Sequence, residues 1–175
     1  MRKLKNEELN RATVEEFKTA NKFPLVLVLD NIRSLSNIGS VFRTSDAFAV
    51  DELVLCGITA QPPHREIHKT ALGATESVSW RYVESAVEAI QELKDHGYTI
   101  LSVEQADKSV MLNEFYPDKN TQYALVFGNE VHGVDEAIIS LSDACIEIPQ
   151  WGTKHSLNVS VSAGIVLWDI LFKLK

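Results

Sequence analysis

Short apolar runs alternate along the chain with segments whose apolar residues recur every three or four positions. Residues 25–29 (L-V-L-V-L) form the clearest apolar run, and a run that is apolar on both faces predicts a strand covered on both sides. Further strands are predicted at residues 52–56, 78–83, 99–103, 123–127 and 145–148. Helices are predicted at residues 38–49, 64–72, 85–96, 135–141 and 158–174, whereas residues 111–115 fit neither pattern. This alternation predicts an α/β domain with a mostly parallel sheet.

The predicted helix at residues 158–174 is apolar on two sides. Its two stripes at helical spacing are Val159, Ala163, Val166 and Ile170, and Val161, Ile165, Trp168 and Phe172. Asp169 and Lys173, one turn apart, form its clearly charged edge. Because such a helix must be covered twice, we predict that the sheet covers one side and a second subunit the other. Burial of the whole helix within one subunit is the alternative to this homodimer.

Length and composition fit one packed domain. The chain has 175 residues, and 45% of them are hydrophobic. We expect a single domain over residues 1–175, with residues 1–22 as a short N-terminal extension. The apolar runs are far shorter than the roughly 20 residues of a membrane span, and the charged N-terminus lacks an apolar signal segment. A cytoplasmic protein without a membrane partner is therefore predicted.

The formal net charge of −7 argues against broad, non-specific binding of nucleic acid, which needs a basic face. A local basic patch stays possible, because five cations lie in or beside the unusual loops: Arg33, Arg43, Arg65, Lys69 and Lys154. Cys56 and Cys145 lie in apolar runs and are expected to be buried thiols. Neither a disulfide framework nor a metal-binding pattern is visible in the sequence, so we expect no metal cofactor.

Three polar segments come directly after or near predicted strands. They are residues 37–43 (N-I-G-S-V-F-R), residues 128–133 (G-N-E-V-H-G) and residues 148–160 (I-P-Q-W-G-T-K-H-S-L-N-V-S). Ligands of open α/β sheets bind beyond the carboxyl ends of the strands, where such segments converge. The sequence therefore predicts a functional site at this edge of the sheet.

Most residues of these segments can be explained by a structural role as well as by a functional one. Asn37, or Ser36 before it, would cap a helix, and Gly39 would let a backbone or a ligand approach its first turn. Arg43 lies off the apolar stripe and is either a solvated arginine or an anion-binding group. Gly152 would permit an unusual backbone conformation. Ser156 and Asn158 are either helix caps or members of the site.

Taken together and in order, the segments resemble the motifs of a known family. They read N-x-G-x-x-x-R, G-N-E-x-x-G and I-P-x-x-G-x-x-x-S-L-N-V-S-V, and the likeness extends over residues 23–175. The chain resembles the TrmH/SpoU branch of the SPOUT superfamily, the S-adenosylmethionine-dependent RNA 2′-O-ribose methyltransferases. This resemblance implies the α/β trefoil knot, in which the C-terminal segment threads through a loop, and a homodimer formed through the knotted region.

The resemblance also assigns residues by position. The cofactor S-adenosylmethionine would be held by Phe127, Gly128, Gly133, Ile148, Gly152 and Leu157. The catalytic group would consist of Arg43, Asn37, Glu130, Ser156 and Asn158. From their place in or beside the loops, we expect Arg33, Arg43, Lys154 and His155 to contact the substrate, tRNA or rRNA. For His155 an ordinary exposed loop histidine is the simpler interpretation.

The role of Arg43 has two readings. The family mechanism makes the arginine a general base, but a guanidinium is almost always charged in proteins. A charged Arg43 would instead hold a substrate phosphate and stabilise developing alkoxide charge. Other functions are a SPOUT enzyme that methylates an RNA base and a non-catalytic protein that binds S-adenosylmethionine and RNA.

Overall fold

The computed structural model describes residues 1–175 and every side chain but that of Asn6. The strands are β1 (Phe23–Asp30), β2 (Val50–Cys56), β3 (Ser79–Val83), β4 (Thr99–Val103), β5 (Val110–Met111), β6 (Tyr123–Phe127) and β7 (Ala144–Glu147). The helices are α1 (Val14–Thr19), α2 (Leu35–Ala47), α3 (Arg65–Ala71), α4 (Ala74–Ser77), α5 (Ala86–Asp95), α6 (Glu136–Leu141) and α7 (Val159–Leu174). Short 3-10 turns are formed by Asn6–Leu9 and Leu112–Glu114.

The seven strands form one sheet in the order β3-β2-β1-β6-β4-β7-β5. Every neighbouring pair is parallel, with Leu27 of β1 aligned to Leu53 of β2 and to Leu125 of β6. The predicted mostly parallel α/β sheet is thus confirmed. Strands β1, β6, β4 and β7 lie side by side, so the segments that follow them meet at one edge. The threading of the knot stays a prediction.

Both faces of the sheet are covered, which explains why residues 25–29 are apolar at every position. Leu25, Leu27 and Leu29 pack with α2, α3 and α7 on one face. Val26 and Val28 pack with α5 and α6 on the other. All five are at most 1% exposed. Each such side chain contributes about 1.5–3 kcal/mol through its burial, and this double coverage is what a parallel sheet requires.

The predicted helix at residues 64–72 is confirmed as α3, which ends where Leu72 and Gly73 have positive φ angles of 50° and 91°. The short helix α4 follows this break and was not predicted. Residues 111–115, which fitted neither pattern, form the end of a two-residue strand and a 3-10 turn. In these short segments the local backbone conformation, rather than a hydrophobic period, decides the structure.

The start of α2 was also predicted wrongly. The N-cap is Ser34, whose hydroxyl accepts a hydrogen bond from the Asn37 N–H at 3.3 Å, rather than Asn37 or Ser36. Leu35 packs against the core, so the helix begins at Leu35, three residues before the predicted start at residue 38. The side chain of Asn37 is thereby left free for contacts outside its own helix.

Gly39 allows α2 and α3 to pack with almost no space between them. A Cβ atom at this position would collide with Thr70 Oγ1 and with the carbonyl oxygen of Ile67. The same Thr70 hydroxyl donates a hydrogen bond to the Ser36 carbonyl at 3.0 Å. The close approach predicted for Gly39 is confirmed, and the approaching group is the backbone of α3.

Helix α7 is covered on one side and exposed on the other. Val159, Ala163, Val166 and Ile170 are at most 8% exposed, whereas Val161, Ile165, Trp168 and Phe172 are 50%, 37%, 58% and 69% exposed. The predicted charged pair of Asp169 and Lys173 is present, but it is largely covered, with Lys173 14% and Asp169 20% exposed. The Lys173 ammonium pairs with Asp169 and donates to the carbonyls of Leu112 and Phe115 at 2.6 and 2.9 Å. This pair fastens α7 to the 3-10 turn.

Cys56 and Cys145 are buried and unpaired, as predicted. Burial, followed by the charge of Asp30, raises the pKa of the Cys56 thiol to about 12, so this thiol is protonated and unreactive at neutral pH. Across the described part of the chain, no helix has the length and apolar character needed to cross a bilayer. The described side chains also contain no group of three or more histidines, cysteines or carboxylates that could hold a metal ion.

The packing at Gly39 predicts a large cost for one added methyl group. Gly39→Ala is expected to lower the free energy of unfolding by about 1–3 kcal/mol, because the Cβ collides with backbone that cannot move freely. Urea unfolding measures this change. Gly164→Ala in α7 is the matched control, since its Cβ would only touch Thr44 Cγ2 at 3.9 Å, and a gain of up to about 1 kcal/mol is expected there. Equal effects of the two substitutions would contradict this account.

Candidate active site

A cavity of about 770 Å³ opens at the carboxyl ends of β4, β6 and β7 and reaches the start of α7. Five of the six residues predicted to hold the cofactor line this cavity: Phe127, Gly128, Gly133, Ile148 and Leu157. The sixth, Gly152, is exposed and does not line it, and its φ is not in the left-handed region. The unusual backbone conformation expected at Gly152 is therefore wrong, and a side chain there would meet nothing within 4 Å.

The loop after β6 is closely packed at its two glycines, one against backbone and one against a carboxylate. Asn129 and Gly133 exchange two backbone hydrogen bonds of 2.9 and 2.8 Å. A Cβ on Gly128 would collide with the Gly133 carbonyl, and one on Gly133, where φ is +70°, would collide with a carboxylate oxygen of Glu104. The Asn129 amide also donates to the Asn31 carbonyl at 2.7 Å. The G-N-E-x-x-G segment is thus a fixed wall of the cavity.

Glu130 joins this wall to the start of α2. Its Oε2 accepts a hydrogen bond from the Arg33 N–H at 3.0 Å. Its Oε1 accepts from the Ser34 N–H at 3.1 Å and from Asn37 Nδ2 at 3.2 Å. Burial raises the pKa of Glu130, but the backbone N–H groups and the Asn37 amide outweigh it and hold the pKa below its usual value. Glu130 is therefore ionised at neutral pH, with both oxygens engaged, which suits a positioning role better than that of a base.

Asn158 extends the network to the third segment. Its Nδ2 donates to Asn37 Oδ1 at 3.0 Å, and its Oδ1 accepts from the N–H and hydroxyl of Ser160 at 2.9 and 2.7 Å. Asn158 is thus both the N-cap of α7 and a member of the site. The sequence had offered these two roles as alternatives, and both are correct. Ser156 is not a cap; it is exposed and lines the cavity. Three of the five predicted catalytic residues, Asn37, Glu130 and Asn158, are directly connected.

Three of the four residues predicted to contact RNA lie outside the cavity. Arg43 is exposed on α2, and among the described groups none is hydrogen-bonded to its guanidinium. Arg33 is exposed beside Glu130, and Lys154 is exposed in the loop before α7. His155 does line the cavity. These positions leave Arg33, Arg43 and Lys154 available to a large ligand outside the cavity.

Sequence reasoning missed two residues that shape the cavity. Glu104 accepts hydrogen bonds from the Val134 and Gln105 N–H groups at 2.9 and 2.8 Å. Gln105 Nε2 donates to the His155 carbonyl at 2.7 Å and so holds the third segment near the cavity. Both follow β4 directly, and a polar pair at the end of a predicted strand was an available signal. This signal points to the site only once the sheet order is known, because β4 lies between β6 and β7.

The cavity favours a positively charged ligand. Four carboxylates line it, from Glu104, Glu130, Glu136 and Glu147, and no lysine or arginine does so among the described residues. Phe127, Ile146, Ile148 and Leu157 supply apolar surface beside them. Acidic groups above an apolar wall suit a ligand with a cationic centre and a flat apolar part.

The sheet is fully parallel with a cavity at the carboxyl ends of its strands, which is where α/β proteins of this class bind their ligands. Within that class the chain belongs to the SpoU rRNA methylase family, whose profile matches residues 24–168. The predicted membership of the TrmH/SpoU group is therefore confirmed.

Relatives agree with this assignment. The 23S rRNA (guanosine-2′-O-)-methyltransferase RlmB of Neisseria meningitidis is 34% identical over 144 residues, which are 82% of this chain and 56% of the relative. The A. aeolicus TrmH/SpoU tRNA modifying enzyme matches with a TM-score of 0.81 and 28% identity over 91% of this chain and 80% of that one. An AdoMet-bound rRNA methyltransferase from Sinorhizobium meliloti has a TM-score of 0.78 and 25% identity, covering 85% of this chain and 56% of that one. The chain thus spans little more than half the length of two of these proteins.

Asp30, at the end of β1, gives a prediction for the dependence of stability on pH. It is 5% exposed, and burial, followed by the charge of Asp135, raises its pKa. A carboxyl whose pKa is higher in the folded chain binds its proton more tightly there. Its ionised form therefore costs stability above the folded pKa, and this cost vanishes below the unfolded value of about 4.

Asp30→Asn removes that cost and keeps an oxygen for the hydrogen bond from Asn31 Nδ2, which is 2.8 Å long. We expect the Tm to rise by about 2–4 °C at pH 8 and to stay unchanged below about pH 4. Thermal unfolding followed by circular dichroism across this range measures the change. Asp107→Asn, at an exposed carboxyl, is the control and should leave the Tm unchanged. A gain that is the same at both pH values would refute the role of ionisation.

Proposed function

We propose that this protein transfers a methyl group from S-adenosylmethionine to the 2′-hydroxyl of a ribose in tRNA or rRNA. The observation that carries the proposal is the hydrogen-bonded connection of Glu130, Asn37 and Asn158 at the mouth of the acidic cavity. The three segments that carry the family motifs meet there. Relatives described as RNA 2′-O- or rRNA methyltransferases support the same activity.

The residues of the cavity fit the proposed cofactor. S-adenosylmethionine has two cationic centres and one carboxylate, so its net charge of about +1 matches a cavity lined by four carboxylates. Its flat adenine would find apolar surface on Phe127, Ile148 and Leu157. A cavity of about 770 Å³ is large enough for a ligand of this size.

When bound, the cofactor supplies a methyl group that is activated by its attachment to a sulfonium. The chain's own residues then have to place the ribose and manage one proton. Glu130 fixes the Asn37 amide through Nδ2, and Asn158 fixes it through Oδ1, so this amide has one orientation at the mouth of the cavity. Such fixed dipoles orient a hydroxyl group without reorganisation during the reaction.

Arg43 is proposed to act on the RNA side. Its exposed guanidinium is free to hold a backbone phosphate and to stabilise the negative charge that develops on the ribose oxygen. The other reading, in which Arg43 accepts the proton, requires loss of a charge that guanidinium groups almost always keep. If Arg43 stays charged, the proton of the ribose hydroxyl would pass to solvent or to a phosphate oxygen.

The function is tested with labelled S-adenosylmethionine and total RNA from a strain that lacks the protein. We expect label in tRNA or rRNA, and mapping should place it on a ribose 2′-oxygen. Label on a base would instead support the base-methylating alternative. Cofactor binding by calorimetry without transfer to any RNA would support a non-catalytic protein.

Arg43→Ala gives a sharper prediction. Because Arg43 does not line the cavity, the affinity for S-adenosylmethionine should be unchanged, while the rate of methyl transfer should fall by about 10²–10³. Calorimetry and single-turnover transfer measure the two quantities. Lys18→Ala, at an exposed lysine of α1, is the control for a lost surface charge. A matching loss of cofactor affinity would show that Arg43 acts on the cavity instead.

We propose that the active form is a homodimer joined through α7. The support is the exposed apolar stripe of Val161, Ile165, Trp168 and Phe172, in which the last two rings stack with centroids 5.4 Å apart. Contiguous apolar surface of this kind is typical of a protein–protein interface. A second copy of the chain is the partner that the family resemblance implies.

The double variant Trp168→Glu with Phe172→Glu should be monomeric, because it places charges in the middle of the proposed interface. Light scattering after gel filtration at micromolar concentration measures the mass, and the wild type should have twice the mass of one chain. Val87→Glu in α5, at a residue 39% exposed, is the control and should leave the dimer intact. A monomeric wild type would refute the dimer.

A further inference from the structure

A second cavity, of about 500 Å³, lies between the segment before α3, helix α4 and strand β3. Pro62, Pro63 and Trp80 contribute apolar surface to this cavity. Its polar lining includes Arg65 and Glu76. None of these residues lines the first cavity. We propose that this second cavity holds one nucleotide of the substrate RNA outside the nucleotide that is methylated, an inference that rests on the proposed function.

Charge supports an RNA ligand at this place. The whole chain has a formal net charge of −7, yet Arg65 has no ion-pair partner among the described residues. The neighbouring Lys69 is different, because Glu66 pairs with it at 2.7 Å. An exposed, unpaired guanidinium at the rim of a cavity is suited to a phosphate oxygen.

The wall chemistry supports a nucleobase. Flat aromatic and proline surfaces are the surfaces on which unpaired RNA bases pack. The Trp80 ring is held in place by Phe42, which it meets edge-on at a centroid distance of 6.4 Å. A preformed wall of this kind binds a base with little loss of side-chain freedom.

Glu76 gives the cavity a preference among bases. A carboxylate accepts hydrogen bonds and donates none when ionised, so it recognises an exocyclic amino group. Cytosine, adenine and guanine carry such a group, whereas the one donor on the pairing edge of uracil, N3–H, lies between two carbonyl oxygens that repel a carboxylate. The cavity is therefore expected to favour an amino-bearing base over uracil.

The position of the cavity relative to the first site supports a shared RNA. Thr70 of α3 donates to the Ser36 carbonyl of α2 at 3.0 Å, and Gly39 lets the two helices touch. Phe42, which contacts Trp80, is followed in the chain by Arg43. Helix α2 thus carries Arg43, the proposed RNA contact, and Phe42, which supports the Trp80 wall of the second cavity. An RNA strand that contacts Arg43 can therefore extend into the second cavity.

The test uses fluorescein-labelled oligoribonucleotides of cytidines only and of uridines only, each about ten nucleotides long and thus within a single-strand site size. Anisotropy is measured against salt concentration for the wild type and for Arg65→Ala, Glu76→Gln and the control Lys69→Ala. We expect Arg65→Ala to weaken binding of both oligonucleotides about tenfold and to lower the salt slope by about one. The wild type should favour cytidine, and Glu76→Gln should reduce this preference. Lys69→Ala should change affinity less than Arg65→Ala.

Two results would overturn the inference. One is that Arg65→Ala binds the oligonucleotides no more weakly than Lys69→Ala does; the other is that the wild type does not distinguish cytidine from uridine. Cofactor affinity and methyl transfer to total RNA are measured on the same samples. For Arg65→Ala, KM for RNA should rise while kcat and cofactor affinity are kept. A wild type that binds no cofactor and transfers no methyl group refutes the proposed function instead, and circular dichroism confirms that each variant is folded.

Discussion

The structure at the carboxyl edge of the sheet depends on one carboxylate. Glu130 accepts hydrogen bonds from two backbone N–H groups before α2 and from the side chain of Asn37, and so joins the segment after β6 to the segment after β1. Asn37 passes the connection to Asn158 and therefore to the start of α7. Because α2 and α7 also pack into the same core, the geometry of the site is set by the most buried part of the protein.

Two electrostatic environments meet at this network. The cavity is acidic, whereas the exposed arginines Arg33 and Arg43, which lie just before and on α2, do not line it. This separation suits a reaction between a cationic small molecule and a polyanion, because each ligand meets charge of the opposite sign. Under the proposed function, this separation also explains how a chain with a net charge of −7 acts on RNA without a basic face.

The sequence predicted six of the seven strands, the parallel sheet and three of the residues that meet at the site. Hydrophobic period was enough for β1 and α5, where burial decides the structure. It failed at the start of α2, where core packing of Leu35 moved the cap to Ser34, and it did not predict the short elements α1, α4 and β5. Gln105 and Glu104 were missed because their importance depends on the order of strands in the sheet, which no local pattern encodes. The role predicted for Gly152 was wrong, because a glycine within a motif need not have a backbone conformation or a close contact that only glycine allows.

The four carboxylates of the first cavity have a consequence for turnover. Under the proposed function, the small molecule that leaves the cavity has lost the positive charge on its sulfur and differs little in shape from the one that entered. Attraction to four negative groups therefore weakens at the moment the reaction is complete. A cavity of this kind distinguishes spent from fresh molecules by charge, and so limits inhibition by the accumulating by-product without any movement of the fold.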